Sequence, residues 1–291
     1  QTYGLIQRAR IGVRRALEIL QSEQRLSEGA KQFPAGGARG DVTFEAVSFG
    51  YESTQPVLKK IDLRVAAGEK IAIVGATGAG KSTLVSLLPR FYDPQAGHVT
   101  IDGVDVRKFQ LKSLRRQIAM ILQPPLIFPF TIRENIAYGR PDASLKQIVN
   151  AAKIAQIHES IIKLPQQYET IVGEQGATLS EGEKLRLTIA RGILRDAPIL
   201  ILDEPTASVD AETEAFIMAG LQRLMSGRTT FIIAHRLSTV RQADLIVVLR
   251  GGEIVEQGSF MDLIHRSGPF AALYRTQLGL YEPERYFRLI K

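Results

Sequence analysis

The chain has 291 residues, 45% of them hydrophobic, and a formal net charge of +7. That length and apolar content exclude a disordered chain and suit one large domain or two modest ones. The absence of cysteine excludes disulfides, zinc thiolates and thiol catalysis, and no Lys/Arg block concentrates the positive charge, so no nucleic-acid partner is expected.

Residues 1–28 read as an amphipathic helix, with Leu5, Ile6, Ala9, Val13, Ala16, Leu17 and Leu20 at helical spacing among Arg8, Arg10, Arg14 and Arg15. The opening QTYGLIQRAR lacks the apolar core of a signal peptide, and no apolar run approaches the roughly 20 residues that span a bilayer. Residues 29–40, GAKQFPAGGARG, read as a linker. The alternation in VTFEAVSFGY (42–51) and KKIDLRVAAGEK (59–70) then predicts a small antiparallel sheet.

KIAIVG (70–75), ILILDE (199–204), TTFIIAH (229–235) and LIVVL (245–249) are short and almost wholly apolar, as strands buried on both faces are. Helical stretches at 183–195 and 211–225 lie between them. The alternation predicts an α/β fold with a parallel sheet covered on both sides. Residues 107–165 read as a mostly helical insertion.

Gly75-Ala76-Thr77-Gly78-Ala79-Gly80-Lys81-Ser82 fits G-x-x-x-x-G-K-[ST], following an apolar strand and preceding a helical run. Its glycines let successive N–H groups curl around phosphates, and the helix beginning near Gly80 adds its dipole. Lys81 would neutralise the β- and γ-phosphates, and the Ser82 hydroxyl would hold Mg²⁺. Asp203 and Glu204 end a buried strand, at the carboxyl edge where ligands bind; Asp203 would hold Mg²⁺ and Glu204 would orient and deprotonate water. His235 closes another strand, within reach of a γ-phosphate or of Glu204. Gln123 could ligand Mg²⁺ through its amide or simply be a surface glutamine. Tyr51 could stack on adenine, although from residue type alone a packing role is the commoner one.

Ser180-Glu181-Gly182-Glu183 is an S-x-x-E capping box before a helical run. Glu181 would occupy the first helical position, where the dipole favours an acid by roughly 0.3–1 kcal/mol.

Phosphate loop, Gln123, Ser-x-Gly helix start, ILILDE, Ser208-Val209-Asp210 and His235 follow one another in an order that resembles the nucleotide-binding domain of ATP-binding-cassette (ABC) transporters, over roughly residues 40–280. GYESTQPVLKKIDLRVAAGEK, LIFPFTIRENIAYG and TIVGEQGATLSEGEKLRLTIARGILRDAPILILDEPTASVD resemble the exporter branch. The resemblance implies a P-loop NTPase core with a mostly parallel sheet, an antiparallel β subdomain and a helical subdomain at about 107–195, all within 41–281. Residues 1–28 would end a membrane-domain helix, and 282–291 would be a C-terminal tail.

It also implies ATP and Mg²⁺ as cofactors. Tyr51 would stack on adenine; Gly75, Ala76, Thr77, Gly78, Ala79, Gly80, Lys81, Ser82 and Thr83 would hold the phosphates. Ser82, Gln123 and Asp203 would hold the metal, and Glu204, His235, Lys81 and Gln123 would serve catalysis. Gln123 would couple the site to the membrane domain, and Glu174 would lie near the coupling helices. Ser180, Gly182 and Asp210 would face ATP bound by a second nucleotide-binding domain stacked head to tail. The partners implied are that second domain and a transmembrane domain, at the cytoplasmic face of a membrane.

One departure stands out. The family's motif reads Leu-Ser-Gly-Gly-Gln, and here Glu181 replaces the first glycine and Glu183 the glutamine. Glu183 preserves the capping box, whereas Glu181 either brings charge toward an incoming phosphate or points outward where solvent screens it; slowed ATP hydrolysis is expected.

Overall fold

The computed structural model describes residues 26–52, 54–173, 176–203, 211–234 and 237–277, together with 10, 12–14 and 17. Of the expected N-terminal helix, these last five residues are helical, and Val13 and Leu17 on its apolar stripe are exposed. Ser27 and Glu28 are not helical; they begin a segment laid along the domain.

Among the described residues two sheets carry the fold. The smaller is antiparallel, in the order β2-β1-β4-β5, built from β1 (Val42–Phe49), β2 (Leu58–Val65), β4 (Ala96–Ile101) and β5 (Val104–Asp105). The alternation in β1 slips where the β1–β2 register shifts between Phe44 and Phe49. Ala46 and Lys60 there have positive φ, and such bulges keep Phe44, Val47, Phe49, Leu58 and Ile61 all on the buried face.

The larger sheet has the order β10-β9-β3-β8-β7-β6, from β3 (Lys70–Val74), β6 (Ile118–Ile121), β7 (Ile199–Asp203), β8 (Thr229–Ile233), β9 (Leu245–Arg250) and β10 (Glu253–Gly258). Its pairings are parallel except for β10, which returns antiparallel along β9. The apolar strands divide by residue parity. Ala72, Val74, Leu200, Leu202, Ile246 and Val248 join one core, whereas Ile71, Ile73, Ile199, Ile201, Val247 and Leu249 join the other. Burial on both faces is why no polar alternation is visible, and each fully buried aliphatic side chain contributes about 1.5–3 kcal/mol.

The stretch 107–165 is not only helical, because IAMI forms β6 beside β7. Four apolar residues carry no period that separates strand from helix. The helices are α1 (Lys81–Ser86), α2 (Leu111–Arg116), α3 (Ile132–Ala137), α4 (Leu145–Ile154), α5 (His158–Ile162), α6 (Glu181–Arg195), α7 (Ala211–Met225), α8 (Leu237–Val240), α9 (Phe260–His265) and α10 (Pro269–Gln277). Capping boxes at Thr131, Ser144 and Ser180 start α3, α4 and α6. Helix α1 packs between the two sheets through Leu84 and Val85. Helix α6 packs against the opposite face of the large sheet through Leu187, Ile189 and Ala190, with α3, α4 and α7 around it. No helix of the described residues is long and apolar enough to cross a membrane.

Candidate nucleotide-binding site

Because β3, β8, β7 and β6 run parallel, their carboxyl ends line one edge. Val74 leads into the phosphate loop, Asp203 closes β7, and Gln123 lies two residues beyond β6. Topology thus assembles on one edge residues that are far apart in sequence. Asp203 is half-buried and Gln123 exposed. Glu204 follows β7 in the sequence, Asp210 precedes α7 and His235 comes after β8; they and Glu174 lie outside the described residues.

The loop's backbone requires glycine for separate reasons. Gly75 has φ +155°, and a Cβ there would lie 2.2 Å from the Leu249 carbonyl oxygen. Gly80 has φ +102°, and its Cβ would lie 2.9 Å from Leu58 Cδ2. Gly78 also has positive φ, +81°, but faces open space. Ala79 N–H donates to the Ala76 carbonyl at 3.1 Å, tightening the turn between them. Lys81 is buried, and its Nζ donates to the carbonyls of Gly75 (2.8 Å) and Ala76 (3.0 Å), so its ammonium lies folded over the loop. Ser82, one residue on, is exposed.

Tyr51 is brought to this helix from the small sheet. Its hydroxyl is 3.1 Å from Thr83 Oγ1, and its half-exposed ring meets Phe49 and Tyr92 edge-on, each at 5.2 Å between centroids. Tyr92, which sequence reasoning missed, buttresses this platform; its signal was the aromatic pair Phe91-Tyr92 soon after the phosphate-loop helix.

The predicted capping box at the signature stretch is present. Ser180 Oγ accepts from Glu183 N–H at 3.3 Å, and Glu183 Oε2 accepts from Ser180 N–H at 2.9 Å. Gly182 is buried and Ser180 exposed. Glu181 turns outward and pairs with Lys184 at 2.7 Å. The structure therefore brings Tyr51, the phosphate loop, Asp203 and Gln123 toward one edge, and sets Ser180 and Gly182 on a helix packed against the sheet's other face.

Beside Gln123 lies a surface that sequence reasoning missed. Leu122, Leu126, Phe130, Tyr138 and Ile171 are exposed. Beneath them the guanidinium of Arg191 stacks over Phe128 (5.3 Å) and Tyr138 (5.7 Å). It donates to the carbonyls of Leu126 and Asn135 at 3.0 and 2.8 Å. Burial pulls the Arg191 guanidinium down to about 10. Fully buried Asn135 donates to the Phe128 carbonyl and accepts from the Phe128 N–H, both at 3.0 Å, fixing this loop from below.

An α/β sheet with a glycine-rich phosphate loop at its carboxyl edge, an acid closing the strand two places along and an aromatic platform alongside defines a P-loop nucleotide-binding domain. A family profile described as ABC transporter matches residues 58–207, and the chain belongs to that family as its ATP-binding domain. It is 52% identical over 231 residues to an ATP-dependent lipid A-core flippase of Syntrophus aciditrophicus (strain SB), covering 79% of this chain and 38% of that protein. It is 46% identical over 264 residues to a putative multidrug export ATP-binding/permease protein of Bacillus subtilis (strain 168), covering 90% and 46%. Among solved structures, a bacterial Atm1-family ABC exporter with ATP bound superposes with a TM-score of 0.84 at 40% identity, covering 97% of this chain and 49% of that one. The chain thus spans under half the length of each of these relatives.

Proposed function

We propose that this chain binds MgATP at the carboxyl edge of its central sheet, closes head to tail on a second nucleotide-binding domain, and hydrolyses the γ-phosphate to drive export through a membrane domain. The observation that carries the proposal is the division of the site. The phosphate loop, Tyr51 and Asp203 gather at one edge, whereas Ser180 and Gly182 begin a helix on the other face, which supports their serving the nucleotide of a second domain.

Phosphate oxygens would replace the Gly75 and Ala76 carbonyls as acceptors for Lys81 Nζ, and adenine would lie on the Tyr51 ring. The metal set is the Ser82 hydroxyl, the Gln123 amide oxygen and the Asp203 carboxylate. No group of three or more His, Cys, Asp or Glu able to hold a metal occurs among the described residues. Hard oxygen donors with a single carboxylate fit a magnesium ion that arrives with phosphates rather than one held in an all-protein cage. When bound, the ion supplies charge neutralisation on the phosphate oxygens. Glu204 would take a proton from the attacking water, and His235 would hold the γ-phosphate and the water in line.

The exposed apolar group at Leu122, Leu126, Phe130, Tyr138 and Ile171 supports docking of the membrane domain beside Gln123, on the cytoplasmic face of a membrane. ATP-driven closure and its reversal after hydrolysis would then move that domain.

Steady-state MgATP hydrolysis against protein concentration tests the proposal, with Glu204→Gln alongside. The expected result is turnover that rises faster than linearly and disappears in the variant. Turnover that is linear in protein and survives Glu204→Gln would overturn it.

A further inference from the structure

We propose that Arg90 is a positioning residue through which the segment at residues 27–38 holds the nucleotide platform in place. The inference rests on the reading of Tyr51 and the phosphate loop as an ATP site.

By composition this Gly/Pro/Ala-rich segment is a flexible linker, yet it is fastened along its length. Lys31 N–H donates to the Lys108 carbonyl (2.9 Å) and the Lys31 carbonyl accepts from Gln110 N–H (2.8 Å), a short parallel bridge beside Phe109. The Phe33 ring stacks on Phe109 at 4.0 Å. Helix α2 is gripped from the same side. Glu28 accepts from Leu111 N–H (3.1 Å), Ser113 Oγ accepts from Phe33 N–H (2.9 Å), and Gln117 Oε1 accepts from Ala38 N–H (2.9 Å). Ordering this many residues costs conformational entropy, so the docking calls for a compensating role.

Arg90 is where the strap meets the site. It lies four residues beyond α1, is completely buried and has φ 53°. Its backbone N–H donates to the Leu87 carbonyl, and that of Phe91 to the Ser86 carbonyl, each at 3.1 Å, closing the phosphate-loop helix. Its guanidinium forks onto Asp93 at 2.6 and 2.8 Å and reaches the Ser27 carbonyl at 2.8 Å. The fork spans Phe91 and Tyr92, so it fixes the turn that presents Tyr92 to Tyr51. From α2, Arg115 donates to the carbonyls of Pro89 (3.0 Å) and Arg90 (3.1 Å) and stacks over Phe91 at 5.5 Å. The strap therefore holds residues 89–93 twice, directly through Arg90 and indirectly through α2. Lysine cannot replace this fork, since one ammonium does not meet a carboxylate bidentately and a distant carbonyl together.

Gly29 offers a way to lift the strap without touching the site. A Cβ there would lie 2.3 Å from the Lys108 carbonyl carbon and 2.6 Å from Phe109 N. The experiment compares the 291-residue chain with Gly29→Val, Arg90→Lys and the double variant. Backbone hydrogen exchange is followed without nucleotide, and the dissociation constant is measured with a fluorescent ATP analogue and Mg²⁺. Both single variants are expected to speed exchange at residues 87–93 about tenfold or more and to weaken nucleotide binding several-fold. The effect of the double variant should fall short of the sum of the two single effects, because both changes break the Ser27–Arg90 link. Turnover at saturating ATP should stay within about twofold for Gly29→Val, which separates positioning from chemistry.

Faster exchange at 29–33 with residues 87–93 and nucleotide affinity unchanged would overturn the inference, as would additive effects in the double variant. Gly29→Val decides the matter even if Arg90→Lys does not fold, because it leaves Arg90 and its fork onto Asp93 unaltered. A wild-type chain that binds no ATP would overturn the ATP reading instead, and the exchange measured without nucleotide would still judge the strap.

Discussion

The Glu181 carboxylate sits 2.7 Å from the Lys184 ammonium, one turn further along α6, on the exposed side of the signature helix. The acid that departs from the family motif thus carries its own counterion. As a surface ion pair it adds little stability, but it offsets the charge an incoming phosphate would meet. A charge at a helix N-terminus is worth about 0.3–1 kcal/mol, or roughly 2–5-fold in rate. Removing the partner should therefore matter more than removing the acid. Lys184→Met is expected to lower MgATP turnover by about 2–5-fold, Glu181→Gln to raise it by less than about twofold, and the double variant to match Glu181→Gln. Equal turnover in Lys184→Met and wild type would remove Glu181 from the account of the site.

Three glycines of the phosphate loop share positive φ but not surroundings. Alanine at Gly78 meets nothing within 4 Å, so it bears only the left-handed backbone cost, about 1–2 kcal/mol. At Gly75 the same methyl would be driven into the Leu249 carbonyl, which is strand backbone and cannot step aside. ATP titrations should find Gly78→Ala weakened by no more than about 30-fold, and Gly75→Ala without measurable binding. The reverse order would mean that Gly78 makes a close approach to the ligand itself.

The central sheet was legible because strands buried on both faces are almost wholly apolar, and the phosphate loop because only one backbone path suits its glycines. The capping box was legible too, since its four residues satisfy one another locally. What sequence hid is non-local. IAMI has no period, and only the neighbouring Ile199–Asp203 makes it a strand. Residues 29–40 have a linker's composition, and their docking depends on Lys108, Gln110 and Gln117. Arg191 sits in a helix whose sequence says nothing about Phe128 or Tyr138, which stack on it from another loop. The Lys184 partner of Glu181 was there to be read at i+3 spacing.

On the proposed reading, Tyr51 would separate two contributions to nucleotide binding. Its hydroxyl meets Thr83 and its ring meets Tyr92 and Phe49. Tyr51→Phe keeps the ring and loses only the bond to Thr83, so the ATP dissociation constant should stay within about threefold, the worth of one exposed hydrogen bond. Tyr51→Ala removes the stacking face, worth about 1–3 kcal/mol per base, and should weaken ATP binding by tenfold or more (~1.4 kcal/mol). A ligand that lacks the base, such as inorganic triphosphate, should bind both variants alike. Parallel losses for ATP and triphosphate would show that Tyr51 acts on the loop and not on adenine.

The helical subdomain carries a pH signature that can be isolated with one substitution. The Tyr168 hydroxyl lies 2.8 Å from His158 Nδ1, and burial, with Glu159 adding repulsion, pushes it from 10.0 up to about 12. The folded chain therefore holds this proton where the unfolded chain releases it. Stability from the neutral phenol is complete below pH 10 and is lost as pH rises through about 12. Arg191 has the opposite sign. Burial lowers its guanidinium to about 10, so above that pH the unfolded chain binds the extra proton and stability gains as pH rises. The two trends overlap in a wild-type melt, but Tyr168→Phe deletes only the first. At neutral pH the variant should be less stable by about 1 kcal/mol for the lost hydrogen bond. Between pH 10 and 12 the gap should close, because the wild type alone is losing stability. Thermal melts of both proteins across that range check it, and a gap that stays constant would mean that Tyr168 ionises alike in the folded and unfolded chains.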